Sequence, residues 1–416
     1  LPSGANRDPL QGDALTATRS HTCFTDQTDF AAPLIGDWVD SAELLQRAGS
    51  MYGWHAGLSP NASFDAAGAN KWRAGACFAE TAAFSCAYHG IFHSSRATNA
   101  AQRRFSPRSC RLLPLRPRAF ATQYANTSFY FWGDSLARQA FISFVCNLQS
   151  IVVSSDIRWS LRYNNRGPIE PWGGSRFCPW PDGRHCHFTQ ASVTLENGIT
   201  VHHEGSELRP SVALRRVETE PLDQRHVIIA THGTHFTTRN AAHLPGFMRS
   251  TMSWWNRTVA RVTQELPVLT GTAGHVNKRV RFIWRESAPA HFSSATGEYE
   301  GEPTGCGCTP GLHRIVPAQN HIALDAISAY NKAARTSGFG GNVDVLRMYE
   351  ATLSQWDAHV QHTFRHQART GAWSNSSSCP ILSSVENRVE VFDCLHFCVA
   401  GVPDAWNQVL YTMLMA

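Results

Sequence analysis

The 416-residue sequence predicts an α/β protein built on a mainly parallel sheet, and two observations carry the prediction. From residue 119 onward, short apolar runs alternate with stretches of helical period, the order that places helices between parallel strands. The clearest of these runs, Phe129-Tyr130-Phe131-Trp132, has no polar residue at all, as expected of a strand covered on both faces.

Taken in order, residues 1–20 read as a polar extended arm. Residues 21–118 show no clear helix or strand period and are rich in Cys, Trp, Gly and Arg, which predicts a loop-dominated segment stapled to the body. The expected division is therefore residues 1–118 as an amino-terminal segment packed on the core and residues 119–416 as the main domain. After Phe129–Trp132 comes Gly133-Asp134-Ser135, then a helix-period run through Leu136, Ala140, Phe144 and Leu148. Residues 151–212, rich in Trp, Pro and Gly, read as a long excursion from the sheet with a strand pair in it. The next strand is His226–Ala230, running into Thr231-His232-Gly233-Thr234-His235, with a helix around Met248–Glu265. A strand at Val280–Trp284 leads into Arg285-Glu286-Ser287. A helix over Ile322–Arg335, a strand over Val343–Met348 and an amphipathic helix over Asp404–Leu414 complete the chain.

Composition narrows the function. The net charge of +5 is small for this length, and basic residues form no long run, which excludes nucleic acid as the expected partner. The cluster Arg103, Arg104, Arg108, Arg111, Arg116 and Arg118 is expected to be solvated surface. Twelve cysteines, with no Cys-x-x-Cys pair, point to disulfides and an oxidising compartment rather than a zinc ribbon. Four Asn-x-Ser/Thr sequons, at Asn61, Asn126, Asn256 and Asn375, agree with a secretory route, in the Golgi lumen or outside the cell. No apolar run is long enough to span a bilayer. The chain begins without methionine and reads as a mature or trimmed lumenal part, with either a removed signal peptide or an amino-terminal anchor before it.

Ser135 stands at a strand-to-helix junction, where the helix start offers free N–H groups and partial positive charge to an oxyanion. A serine nucleophile needs a base within hydrogen-bond reach and an acid to orient that base. Asp393-Cys394-Leu395-His396 supplies both. The strings alone decide nothing: Gly-Asp-Ser also describes a capped helix start, and Asp182/His185 and Asp223/His226 repeat the Asp-x-x-His spacing. Position separates them. Asp223/His226 precedes a strand, at the end of the sheet opposite Ser135. Asp182/His185 lies in the Trp/Pro-rich excursion. Asp393/His396 follows the β-like run Val389–Phe392, where a late loop can return to the carboxyl edge.

With these blocks in view, the chain resembles the trichome-birefringence-like family and its PC-esterase relatives. Gly36-Asp37-Trp38-Val39, Phe84-Ser85-Cys86 and Arg104–Cys110 match its early blocks, and Phe131–Gln139 its Gly-Asp-Ser block. Trp284–Phe292 is similar to its Phe-Arg-Thr-x-Ser-Pro-x-His-Phe, and Trp356-Asp357-Ala358-His359 to another short signature. Asp393–Cys398, continuing into Gly401–Asn407, matches its last block. The resemblance implies an SGNH-hydrolase-like three-layer α/β/α fold and O-acetylation of a polysaccharide. It also implies the triad Ser135, His396 and Asp393, with no bound cofactor and an acetyl donor as substrate. One position departs. The family's oxyanion-hole Asn is replaced by Thr231, so the expected oxyanion donors are the Ser135 N–H with Gly233 or Thr231. Gly173 and Gly174 are candidates for the second-block glycine. Asp134, Arg138, Arg285 and His235 are candidates for holding the carbohydrate or the donor. Trp132, Trp172 and Trp180 are expected to pack in the core or loops before stacking on sugars.

Two rival readings remain. A carbohydrate acetylesterase would use the same triad with water as acceptor. A catalytically impaired glycan-binding glycoprotein would keep the fold without the reaction, and Thr231 is its main support. The distance from Ser135 to His396 separates that last reading from the others. A metal site is not expected: His185/His187 and His202/His203 lack accompanying ligands at a convincing spacing.

Overall fold

The computed structural model describes residues 21–24, 33–41, 44, 103–161, 186–205, 217, 224–232, 241–265, 279–294, 297, 307–310, 316–337, 341–366, 384–385 and 388–416. Near the amino terminus, β1 (Gly36–Asp40) pairs antiparallel with β2 (Arg103–Pro107). Helix α1 (Pro117–Gln123) leads to β3 (Thr127–Gly133) and α2 (Ser135–Asn147). Then come β4 (Val152–Leu161), β5 (Cys186–Leu195), β6 (Thr200–Gly205) and β7 (Arg225–Thr231). Helix α3 (Leu244–Glu265), β8 (Val280–Arg285), α4 (Val316–Ser337) and β9 (Val343–Leu346) follow. Last are β10 (His359–His366), β11 (Ser384–Val385), β12 (Arg388–Phe397) and α5 (Val402–Met415).

The main sheet has seven strands in the order β4-β5-β6-β3-β7-β8-β9. Its five strands from β6 to β9 are parallel, while β5 runs antiparallel to β4 and β6. Alternate residues of the central strands face two separate cores. Phe129, Phe131, Val227, Ile229 and Ile283 pack with residues of α1, α2 and α5. Tyr130, Trp132, Ile228, Ala230, Phe282 and Trp284 pack with α3 and α4. The fold is thus the three-layer α/β/α arrangement expected. Each such fully buried aromatic contributes about 1.5–3 kcal/mol relative to leaving it in water, which makes β3 the anchor of the sheet.

Part of residues 151–212 departs from the sequence expectation. The described residues 151–161 and 186–205 form β4, β5 and β6: β4 and β5 are the strand pair expected there, but β6 is a further strand of the main sheet, directly beside β3. The misreading has a physical cause. In Thr200-Val201-His202-His203-Glu204-Gly205 only Val201 is aliphatic, so the run does not read as a buried strand. His203 is nevertheless buried, with Nδ1 donating to the Phe131 carbonyl at 3.2 Å. Burial pushes its pKa down to about 3, helped by the Arg138 charge, so this histidine is neutral. His202 faces Thr200 and stacks on Tyr130.

A second, three-stranded sheet has the order β10-β12-β11, all antiparallel. The described amino-terminal residues join the body through several ties. Cys23 is bonded to Cys110, and the Trp38 indole N–H donates to the Ala351 carbonyl at 2.6 Å. Arg103 grips Asp357 through two N–H···O bonds of 2.7 and 2.9 Å. Arg108 does the same with Asp37 at the surface, so two members of the arginine cluster serve ion pairs. Among the described residues, no helix is long and apolar enough to cross a membrane, and no group of three or more His, Cys, Asp or Glu could hold a metal ion.

Candidate active site

β3 ends at the carboxyl edge on Gly133, whose φ is +150°. A Cβ here would collide with the carbonyl oxygen of Thr231 on the neighbouring strand, so only glycine fits the close approach of β3 to β7. The chain then turns into α2. Asp134 is the N-cap, its carboxylate accepting from the Leu136 N–H at 2.9 Å. Ser135 is the first helical residue and is half-buried. Its N–H is among those that a helix start leaves without an intrahelical acceptor.

The other side of the site comes from the second sheet. Asp393 and His396 lie near the end of β12, on a strand paired with β10 rather than on the loop expected from the sequence. His396 Nε2 is 2.6 Å from Ser135 Oγ, and its Nδ1 is 2.7 Å from Asp393 Oδ2. The second carboxylate oxygen, Oδ1, accepts from the N–H groups of Leu395 and His396 at 3.1 and 3.0 Å. Both oxygens of the buried Asp393 are therefore committed, which fixes the imidazole it faces.

Three further ties hold this strand end, the first of them to α2. Gln139, one turn beyond Ser135 and fully buried, donates to the Phe397 carbonyl at 2.7 Å and accepts from the Phe397 N–H at 3.3 Å. A disulfide joins Cys394 to Cys308. Cys398 N–H donates to the Ala358 carbonyl at 2.8 Å. Asp404 then secures the start of α5 to α2, accepting from Ser143 at 2.6 Å and Asn147 at 2.8 Å.

The remaining candidates divide. The Thr231 hydroxyl lies at the same edge but is committed: it donates to the Arg285 carbonyl at 3.2 Å and accepts from Arg285 Nε at 2.7 Å. Its single proton is thus directed at Arg285. Arg285 is buried, with its guanidinium 4.2 Å above the Trp406 ring. Among the described residues its two terminal nitrogens have no hydrogen-bond partner. Burial lowers its pKa to about 10 against the pull of the Asp134 carboxylate, so the group stays charged at neutral pH. A guanidinium enclosed in this way braces the strand ends rather than reaching into solvent. Arg138 is one turn along α2 from Ser135 and half-buried. Trp132 is buried in the α3-side core against Trp254, Phe247 and His232. His226 is at the start of β7, paired with Ser128 and Val280 at the opposite edge from Ser135.

Asn126 and Asn256 are exposed, the first in the turn before β3 and the second on α3. Gly233, His235, Gly173, Gly174, Trp172, Trp180, the Asp182/His185 pair, Phe84–Cys86, Asn61 and Asn375 lie outside the described residues. Sequence reasoning assigned no role to Gln139, although its spacing of four from Ser135 put it on the same helix face.

Residues 113–413 match the family model described as PC-Esterase, a GDSL/SGNH-like acyl-esterase family found in Pmr5 and Cas1p. The chain is 21% identical over 340 residues to Protein trichome birefringence-like 14 of Arabidopsis thaliana, covering 75% of this chain and 75% of that one. It is 23% identical over 336 residues to Xylan O-acetyltransferase 3 of Oryza sativa subsp. japonica, covering 75% of this chain and 66% of that one. With Xylan O-acetyltransferase 2 of the same rice it shares 25% identity over 375 residues, covering 85% and 68%. The chain thus spans about two thirds to three quarters of the length of these relatives.

Proposed function

The chain belongs to the PC-esterase family, and from that premise we propose that it is a polysaccharide O-acetyltransferase working through an acyl-enzyme on Ser135. The observation that carries the reading is the unbroken line Ser135 Oγ–His396 Nε2–His396 Nδ1–Asp393, with steps of 2.6 and 2.7 Å, at the carboxyl edge of the sheet. That contact favours a working triad over a retired one.

His396 Nε2 takes the Ser135 proton as Oγ attacks the acetyl carbonyl carbon. Asp393 accepts from Nδ1–H and stabilises the imidazolium that forms. The developing oxyanion faces the start of α2, where the Ser135 N–H is its donor, with Gly233 as the expected second one. His396 returns the proton to the leaving group, and the acetyl group remains on Ser135. A sugar hydroxyl then attacks the ester, with His396 again as base, and regenerates Ser135. The acetyl donor is a substrate, and the chemistry calls for no resident cofactor. Xylan is the polymer named for two of the relatives, and a xylan-type chain is the first acceptor to test. Water in place of the sugar would make the same site an esterase, so the outcome rests on water exclusion from the acyl-enzyme. The disulfides at Cys23–Cys110 and Cys308–Cys394 support work in an oxidising lumen, in the Golgi or outside the cell.

The protein, incubated with an activated acetyl ester, should carry an acetyl group on the peptide containing Ser135, detected by mass spectrometry. Ser135→Ala should carry none. Added xylo-oligosaccharide should become acetylated faster than acetate is released. Acetate release alone would make the protein an esterase, and labelling that survives in Ser135→Ala would end the triad reading.

A further inference from the structure

Two histidines in the family-like blocks have no part in the chemistry above, yet the fold brings them together beneath the base. His291 lies in the segment after β8 and His359 opens β10. Both are fully buried. His291 Nδ1 is 2.6 Å from His359 Nε2. The outer nitrogens each face a backbone carbonyl: His291 Nε2 that of Leu353 at 2.9 Å, and His359 Nδ1 that of His396 at 3.1 Å. The His359 ring stacks on Phe397 with centroids 4.1 Å apart, and the His291 backbone N–H donates to the Cys394 carbonyl at 2.8 Å. The pair therefore touches the strand around His396 at three points, two on its backbone and one on the Phe397 ring.

Counting hydrogens exposes a conflict. A carbonyl oxygen only accepts, so each outer nitrogen needs a hydrogen, and the inner N···N contact needs one more. Three are required, while two neutral imidazoles bring two. A neutral pair satisfies either Leu353 or His396. In one arrangement His359 Nδ1–H holds the His396 carbonyl and His291 Nδ1–H donates to His359 Nε2. In the other, His291 Nε2–H holds Leu353, His359 Nε2–H donates to His291, and the His396 carbonyl is released. A third proton holds both carbonyls and charges the pair.

We propose that His291 and His359 are positioning residues for His396, their shared hydrogens deciding whether its carbonyl is held, and that the pair takes up a third proton whose charge acts on the base. The inference rests on the reading of His396 as the base. The groups facing the pair set where that proton enters. Burial is the largest influence and pushes His359 well below the ordinary imidazole range, with the neighbouring His291 and His396 acting the same way. The His396 carbonyl and the Asp393 carboxylate act against it. Asp357, two residues from His359, is neutralised by Arg103. His359 is therefore neutral at neutral pH, and a third proton taken up by the pair in acid sets a positive charge beside the base.

Two variants test this. His359→Asn keeps an amide donor near the place of Nδ1–H but does not titrate. His359→Phe keeps the ring packing and has neither property. Ser135 acylation by an activated acetyl ester, followed against pH, is expected to fall about threefold in the Asn variant and about 10- to 100-fold in the Phe variant, since small displacements of a base are costly. The wild-type acid limb should be shallower than one proton, because like charges on the pair and the base repel, and that of His359→Asn should follow one proton. Rates and limbs matching the wild type in both variants would overturn the positioning role. Selective 15N-histidine NMR of the wild type needs neither activity nor a folded Phe variant. One ring nitrogen of the pair should pass from bare to protonated in acid before the fold is lost. A pair that stays at two hydrogens until unfolding would overturn the proton uptake. Absence of any Ser135 acylation alongside that NMR transition would instead count against the triad reading alone.

Discussion

Ser135 and His396 meet at 2.6 Å, but the two are held there by different means. Ser135 is fixed by backbone physics: a strand with both faces buried, a glycine that alone fits against β7, and an N-cap that starts the helix. His396 lies on a small antiparallel sheet whose partner strand is polar, His359-Val360-Gln361-His362-Thr363-Phe364-Arg365-His366, and it is held by individual pins. These are the carboxylate of Asp393, the amide of Gln139, the Cys308–Cys394 disulfide and the buried histidine pair. The nucleophile side should therefore tolerate most single changes away from Gly133, Asp134 and Ser135. The base side should respond to each pin separately.

The largest effect expected on the base side is that of Asp393→Asn. The amide offers an N–H where the imidazole Nδ1–H needs an acceptor, so His396 would turn its bare nitrogen inward and present the wrong tautomer to Ser135. A fall of about 1,000- to 10,000-fold in the acylation rate is expected, with the melting temperature changed far less than the rate. Single-turnover acylation and thermal unfolding on the same preparation check both. A fall of tenfold or less would mean that Asp393 does not orient the base.

The disulfides offer a matched comparison. Cys308–Cys394 and Cys23–Cys110 close loops of nearly equal length, with sequence separations of 86 and 87. Replacing either pair with alanine should lower stability by about 2–5 kcal/mol in urea unfolding. Only the Cys308/Cys394 replacement should also slow acylation, by about tenfold, because Cys394 directly follows Asp393. Equal slowing by both replacements would mean that the disulfide supports the fold as a whole and not the base.

The same contrast explains what the sequence made legible. The main helices and the strands at 127–133, 225–231 and 280–285 are signalled by apolar period, because local burial dictates them. Ser135 follows, since a Gly-Asp-Ser at such a strand end is a local feature. β6 is not legible: His203 is buried at the cost of a neutral ring and one hydrogen bond to Phe131, a non-local arrangement that composition conceals. The pins of His396 are non-local too. Gln139 with Phe397, Cys308 with Cys394, and His291 with His359 are 258, 86 and 68 residues apart. Block order marked all of these residues but Cys308, without saying what they touch. Thr231 shows the opposite limit, where a position expected from the resemblance to serve the oxyanion is occupied by a side chain bonded to Arg285.

Thr231→Val gives the smallest expected change in rate and tests that last point. The isosteric methyl removes both hydroxyl bonds and leaves Arg285 Nε without an acceptor, adding to two terminal nitrogens that already lack partners among the described residues. A buried charged donor left unpaired costs about 1–3 kcal/mol or more, so stability should fall measurably in urea unfolding. The acylation rate should change by less than about threefold, because the hydroxyl proton is directed at the Arg285 carbonyl and the Ser135 N–H faces the oxyanion. Loss of an oxyanion donor would instead cost about 100- to 1,000-fold. A fall of that size with the fold intact would mean that the hydroxyl leaves Arg285 and turns to the oxyanion during the reaction. The nucleophile side would then depend on a movable side chain, as the base side does.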